Sequence, residues 1–183
     1  MFALSPFAFP SISVPTAEGD MELIFSTTLT AKSGTISTGT LPTGYRDLVI
    51  RGQVRSDAAF NAVSTLVAFN GDSTDANYSY VRDSSTATQT SFQSNNAGVR
   101  KQVGLAAAAT ATANAFGVFT LTIYSHEGTT NLKSYNSVSG MINTSTSLNT
   151  SRISGRRTST DAITSVTFVP SVGDFEAGSS IAV

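Results

Sequence analysis

The chain has 183 residues, 40% of them apolar and only 13% charged, with a formal net charge of −1. That length fits one domain of ordinary size, and the near-neutral charge supplies no field to draw nucleic acid or an anionic membrane. The absence of cysteine excludes disulfides and thiolate chemistry.

Ser (27) and Thr (26) take the place of the missing charge, and with 14 Gly they favour extended strands joined by tight turns over amphipathic helices. Residues 1–20 hold Pro6, Pro10 and Pro15 with Phe2, Phe7 and Phe9. Prolines at this density suit neither helix nor central strand, so this stretch reads as an extended N-terminal arm. Its aromatics, unusual in a disordered tail, favour an arm that docks through Phe2, Pro6, Phe7, Phe9 and Pro10 over a frayed terminus. The stretch lacks the basic start of a secretion signal, and no apolar run is long enough to span a membrane.

From Met21 the apolar residues recur with period two. Leu23, Phe25, Thr27 and Leu29 predict one strand face, and a turn follows at Lys32-Ser33-Gly34. Leu48, Ile50, Gly52 and Val54 predict a half-buried strand between Arg46 and Arg55; Val63, Thr65, Val67 and Phe69 predict another. Asn70-Gly71-Asp72 is a turn signal, and Tyr78–Arg82 reads as the strand returning from it. Residues 83–96 are polar and weakly periodic, which predicts a long loop or irregular hairpin. Leu105–Ala115, nearly all Ala and Thr, is readable as a short helix or an extended linker. Phe119, Leu121 and Ile123 mark a buried strand, and Leu132–Ile142, Ala162–Val169 and Ser179–Val183 mark three more. Eight to ten short strands with frequent turns predict an all-β fold, a single β-sandwich of the jelly-roll kind over 21–183.

Catalytic constellations are hard to assemble from these residues. The one histidine, His126, sits between a strand and Gly128 and reads as a surface-loop residue. No nucleophile elbow, zinc-helix motif or phosphate loop is present. Asp57, Asp72, Asp75 and Asp83 fall near strand ends, where a glycosidase would need a carboxylate pair, but each also suits an ordinary turn. Asn70, Asp72, Asp75 and Asn77 could surround a hard cation; the same residues are what a tight turn requires, and the turn is the stronger reading. The basic pairs Arg100-Lys101 and Arg156-Arg157 read as solvated. Tyr78 and Tyr80 fit either a sugar-stacking shelf or cross-strand packing. These residues assign no enzymatic function and no cofactor.

Several segments resemble a group of tailed-bacteriophage virion proteins: Met21-Glu22-Leu23-Ile24 followed by Ser26-Thr27-Thr28-Leu29, Leu41-Pro42-Thr43-Gly44-Tyr45-Arg46-Asp47-Leu48-Val49-Ile50, Phe69-Asn70-Gly71-Asp72, Asn77-Tyr78-Ser79-Tyr80, Asp161-Ala162-Ile163-Thr164-Ser165-Val166 and Phe175-Glu176-Ala177-Gly178-Ser179. Members of that group often carry a Trp where Gly155-Arg156-Arg157 stands here and continue into a Leu-Tyr-Gly segment beyond the position of Val183; the first 20 residues are additional to the pattern. The resemblance implies a β-sandwich and homotrimeric assembly in the virion, with synthesis in the host cytoplasm. On that basis the expected function is that of a capsid decoration or cement protein on the outside of the head, with the major capsid protein and its own copies as partners. The alternative is a tail-fibre receptor-binding module holding host glycans through Tyr78 or Tyr80 and the stretches 83–96 and 143–160. Neither reading calls for nucleic-acid or membrane binding.

Overall fold

The computed structural model describes residues 21–86, 89–94, 101–144 and 147–183. The arm residues Phe2, Pro6, Phe7, Phe9 and Pro10 lie outside the described residues. The described chain is all-β: β1 (Ser26–Thr28), β2 (Ile36–Ser37), β3 (Leu48–Val54), β4 (Ala62–Phe69), β5 (Tyr78–Ser85), β6 (Thr90–Ser94), β7 (Gln102–Ala107), β8 (Gly117–Tyr124), β9 (Lys133–Thr144), β10 (Ser147–Arg157), β11 (Val166–Pro170) and β12 (Ser180–Ala182). Two antiparallel sheets form the sandwich. One has eight strands in the order β1-β12-β3-β8-β9-β10-β5-β6, the other four in the order β2-β11-β4-β7.

The alternation read in β3 and β8 is what places them. Leu48, Ile50 and Val54 in β3, and Phe119, Leu121 and Ile123 in β8, point into the sandwich, while Arg51, Gln53, Val118 and Thr120 point out. The two sheets meet where Phe119 of β8 packs on Phe168 of β11, ring centroids 5.4 Å apart. Phe69 of β4 contacts Tyr135 of β9 at 5.7 Å and Tyr78 of β5 at 6.0 Å.

Several strands depart from the periodic reading for identifiable reasons. Alternation fails before Ser26 because the N–H groups of both Ile24 and Phe25 donate to the carbonyl of Val183. Two residues thus oppose one, the pattern of a bulge, which shifts the upstream side chains to new faces; Leu23 is 69% exposed as a result. The turn at Asn70-Gly71 does not return β5 alongside β4. β5 crosses to the other sheet and pairs with β10 and β6. The polar stretch after Asp83 contributes a hairpin, with Ser85 opposite Thr90.

Leu105–Ala115 is neither helix nor linker at its start. β7 runs through Ala107 with Ala106, Ala107 and Ala108 fully buried, so small side chains there reflect close packing between the sheets. The polar segment 147–157, expected within a loop, is a long strand paired on both sides, to β9 and β5.

The inner face of the large sheet is unevenly built. Under β3, β8 and β12 it is apolar. Under β9, β10 and β5 it carries Lys133, Ser137, Ser139, Ser151 and Arg157, all buried. The serine hydroxyls are absorbed locally: those of Ser139 and Ser151 meet at 2.8 Å, and Ser137 donates to the carbonyls of Val103 and Thr120. Buried polar groups satisfied in this way cost little.

Candidate functional site

The residues singled out for metal binding form a clamp within the protein. Asn70 and Gly71 both have left-handed backbones, φ 55° and 72°, the conformations that Asn and Gly adopt most readily. The Asn70 side chain donates to the carbonyl of Ala162 at 2.7 Å and accepts from the N–H of Thr164 at 2.8 Å and of Ser165 at 3.2 Å. Asp72 accepts from the Thr74 N–H at 3.1 Å, from the Asn77 amide at 3.0 Å and from the Arg157 guanidinium at 3.2 Å. Asp75 opens a single 3-10 turn ending at Asn77. Among the described residues no group of three or more His, Cys, Asp or Glu is arranged to hold a metal ion. The hydrogen bonds of Asn70 and Asp72 tie β4 to β10 and to the segment before β11.

Burial works to raise the Asp72 carboxyl, but the hydrogen bonds from Asn77, Thr74 and Arg157 and the Arg157 charge outweigh it, and the carboxyl is held below the usual carboxylate range. The Asp57 carboxyl is also held low, by the Asp174 N–H and then by Lys32. Asp83 stands opposite Arg152 and Phe92 in the sheet register.

One open choice is decided here in favour of packing, and three expectations are corrected. Tyr78 and Tyr80 offer no shelf, being 1% and 2% exposed. Both alternate with Ser79 on the inward face of β5, and the Tyr78 hydroxyl is used internally, accepting from Phe69 N–H at 3.0 Å and donating to the Asp72 carbonyl at 2.9 Å. Burial pushes that hydroxyl up to about 12. His126 is a core residue, not a surface one: its N–H donates to the Arg46 carbonyl, its carbonyl accepts from Ile163, and Nδ1 lies 3.1 Å from the Ile163 oxygen. The segments before β3 and β11 bury it, a long-range effect that its neighbours in sequence do not encode. Lys101 and Arg157 are likewise buried, with Lys101 Nζ donating to the Ser73 carbonyl at 2.5 Å. Only Arg156 of the second basic pair faces solvent, donating to the Ser79 hydroxyl at 3.0 Å. The stretch 143–160 cannot serve as a free binding loop, because β10 fills its middle.

Among the described residues, the outward face of the eight-stranded sheet is an extended surface open to a ligand or partner. Register aligns its side chains in rows across the strands. One row runs Gln53, Val118, Gly140, Thr150 and Ser85; the next runs Arg51, Thr120, Val138, Arg152, Asp83 and Phe92. Val118, Val138, Ile142 and Leu148 are each about half exposed, at 51%, 57%, 48% and 53%. Ile142 and Leu148 are direct cross-strand partners, while Val118 lies opposite Gly140, between Val138 and Ile142 along β9. These four form one apolar strip.

A groove of 710 Å³ that takes in Val118 and Val138 of the strip lies over β1, β12, β3, β8 and β9, where Ser26, Thr28, Ser180, Ala182 and Gly140 are too small to fill the surface. A second depression of 480 Å³ lies at the other end of the face, with Tyr124, Asn136, Arg156, Ser79, Ser134 and Ser154 around it.

Neither feature was singled out from the sequence. The available signal was apolar and aromatic residues on the polar phase of strongly alternating strands: once Phe119, Leu121 and Ile123 face the core, Val118 and Tyr124 must face out. Compared with known protein families, with curated proteins and with solved structures, the chain matches none.

Proposed function

We propose that this chain is a structural protein of a tailed-bacteriophage virion, a capsid decoration protein that seats its outward sheet face on the major capsid protein. The observation that carries the reading is the strip of Val118, Val138, Ile142 and Leu148. Contiguous apolar side chains on an otherwise hydroxyl-rich sheet face mark a protein contact. Arg51, Arg152 and Asp83 flank it as a polar rim that would fix register. The expected jelly roll is supported by strand order: without β5, β6, β9 and β10, the sheets reduce to β1-β12-β3-β8 and β2-β11-β4-β7, two four-stranded sheets between which successive strands alternate except from β4 to β7, which are neighbours in one sheet, the winding of a jelly roll. The arm, assembly as a trimer and contact with a neighbouring capsid subunit complete the proposal.

Electron microscopy of intact virions tests it: density for this protein on the outer surface of the head is expected, and density confined to the tail would refute it. The tail-fibre alternative loses Tyr78 and Tyr80, which are core residues, and 147–157, which is a strand, and would have to rely on 83–96 or another part of the surface.

A further inference from the structure

The depression at the β8–β9–β10–β5 end of the outward face differs in chemistry from the apolar strip and from the larger groove. Its floor is made of the serines of two adjacent rows: Ser134 opposite Tyr124 and Arg156, and Ser154 opposite Asn136 and Val81. Its walls are an aromatic ring, a carboxamide and a guanidinium. Tyr124 is 39% exposed even though Asn136 donates to its hydroxyl at 3.3 Å, so a ring surface stays open to solvent while its tip is held in place. Arg156 is fixed through Nε by the Ser79 hydroxyl, which leaves the far edge of the guanidinium fork directed away from that bond. No carboxylate lines the depression, so its one formal charge is positive.

We propose that this depression is a binding site for an acidic saccharide, a pyranose bearing a carboxylate. The C–H face of such a ring is apolar and packs on an aromatic side chain, while its hydroxyls need donors and acceptors at short range. Tyr124 supplies the first, and Asn136 with Ser79, Ser134 and Ser154 supplies the second. Arg156 supplies a planar fork matched to a carboxylate. The 710 Å³ groove lacks an exposed aromatic ring among its lining residues and does not combine these features. The site is independent of where in a particle the protein sits, and its test uses the isolated full-length chain.

The experiment is titration calorimetry at physiological ionic strength with hexagalacturonate as the acidic probe, maltohexaose as the neutral one and hexaglutamate as a polyanion without sugar rings. Hexagalacturonate is expected to bind, maltohexaose at least about tenfold more weakly and hexaglutamate not measurably. Tyr124→Ala and Arg156→Gln should each weaken hexagalacturonate binding by about tenfold, the scale of one lost stacking or charge-assisted contact. Arg156→Lys, which keeps charge without the fork, should fall between. Both residues face solvent, and unchanged thermal melts show that the variants are folded. No binding of hexagalacturonate overturns the proposal; so does equal binding of hexaglutamate, or binding that neither Tyr124→Ala nor Arg156→Gln alters.

Discussion

Gly155 of β10 lies directly opposite Tyr135 of β9, and a Cβ at position 155 would fall 2.3 Å from the Tyr135 ring. The same arrangement recurs on the other side of the sheet, where a Cβ on Gly52 would fall 2.2 Å from the ring of its partner Phe119. In each pair an aromatic ring lies across a strand whose own residue has withdrawn to a hydrogen atom, so the ring occupies two positions of the inner face. Gly155→Ala and Gly52→Ala should therefore each destabilise the fold by about 1–3 kcal/mol through overpacking. Chemical denaturation measures this, and Tyr135→Ala should relieve part of the cost of Gly155→Ala when the two are combined.

The Asp72 clamp makes a prediction about acid. Its carboxyl titrates lower in the folded protein than in the unfolded chain, so the unfolded chain takes up the proton first as pH falls. The clamp's contribution is then full above about pH 4, the unfolded value, and is lost as pH falls through the folded one. Melting temperature followed from pH 7 downward should decline in that window, and Asp72→Asn should flatten the decline. Asp57 retains part of it through its own lowered carboxyl. Arg157→Ala, which leaves Asp72 and its neighbours without their main cation, should cost about 1–3 kcal/mol at neutral pH.

For the outward face, Val138→Asp and Leu148→Asp place a charge in the apolar strip without touching the core. Stability should stay within about 0.5 kcal/mol of the parent, while the number of copies on purified heads falls sharply. Full occupancy with both substitutions present would show that this face is not the contact.

Deleting residues 2–18 separates the arm from the sandwich. The proposed clamp requires that heads assembled with the shortened protein retain fewer copies, measured by quantitative gel densitometry. An unchanged copy number would remove the arm from the binding mechanism.

β3 and β8 were legible in the sequence because each has one wet face and one dry face, the condition under which period two becomes visible. β4 was legible through Val63, Thr65, Val67 and Phe69, but Leu66 and Ala68 on its other phase are buried as well, so the alternation did not show that both faces of the strand are covered. β10 was invisible for a different reason. Its inward positions are Ser151, Ile153, Gly155 and Arg157, and only one of these is a conventional core residue. The others fit because β9 supplies a hydroxyl and a ring and the Asp72 loop a carboxylate, from other parts of the chain. The same dependence on remote neighbours hid the burial of His126. The proposed saccharide site was hidden differently, since Tyr124, Asn136 and Arg156 lie on three strands and become adjacent only through register.

The position of β12 has a consequence for how the protein is made. Ser180–Ala182 lies between β1 and β3, pairing Ala182 with both Ser26 and Arg51. Until those residues emerge from the ribosome, β1 has no partner in its sheet and β3 keeps an open edge. β1 and β12 must therefore find each other across the strands that lie between them in sequence, a closure of high sequence separation that slows folding. A chain not yet extended to β12 would carry an unpaired edge able to recruit other copies.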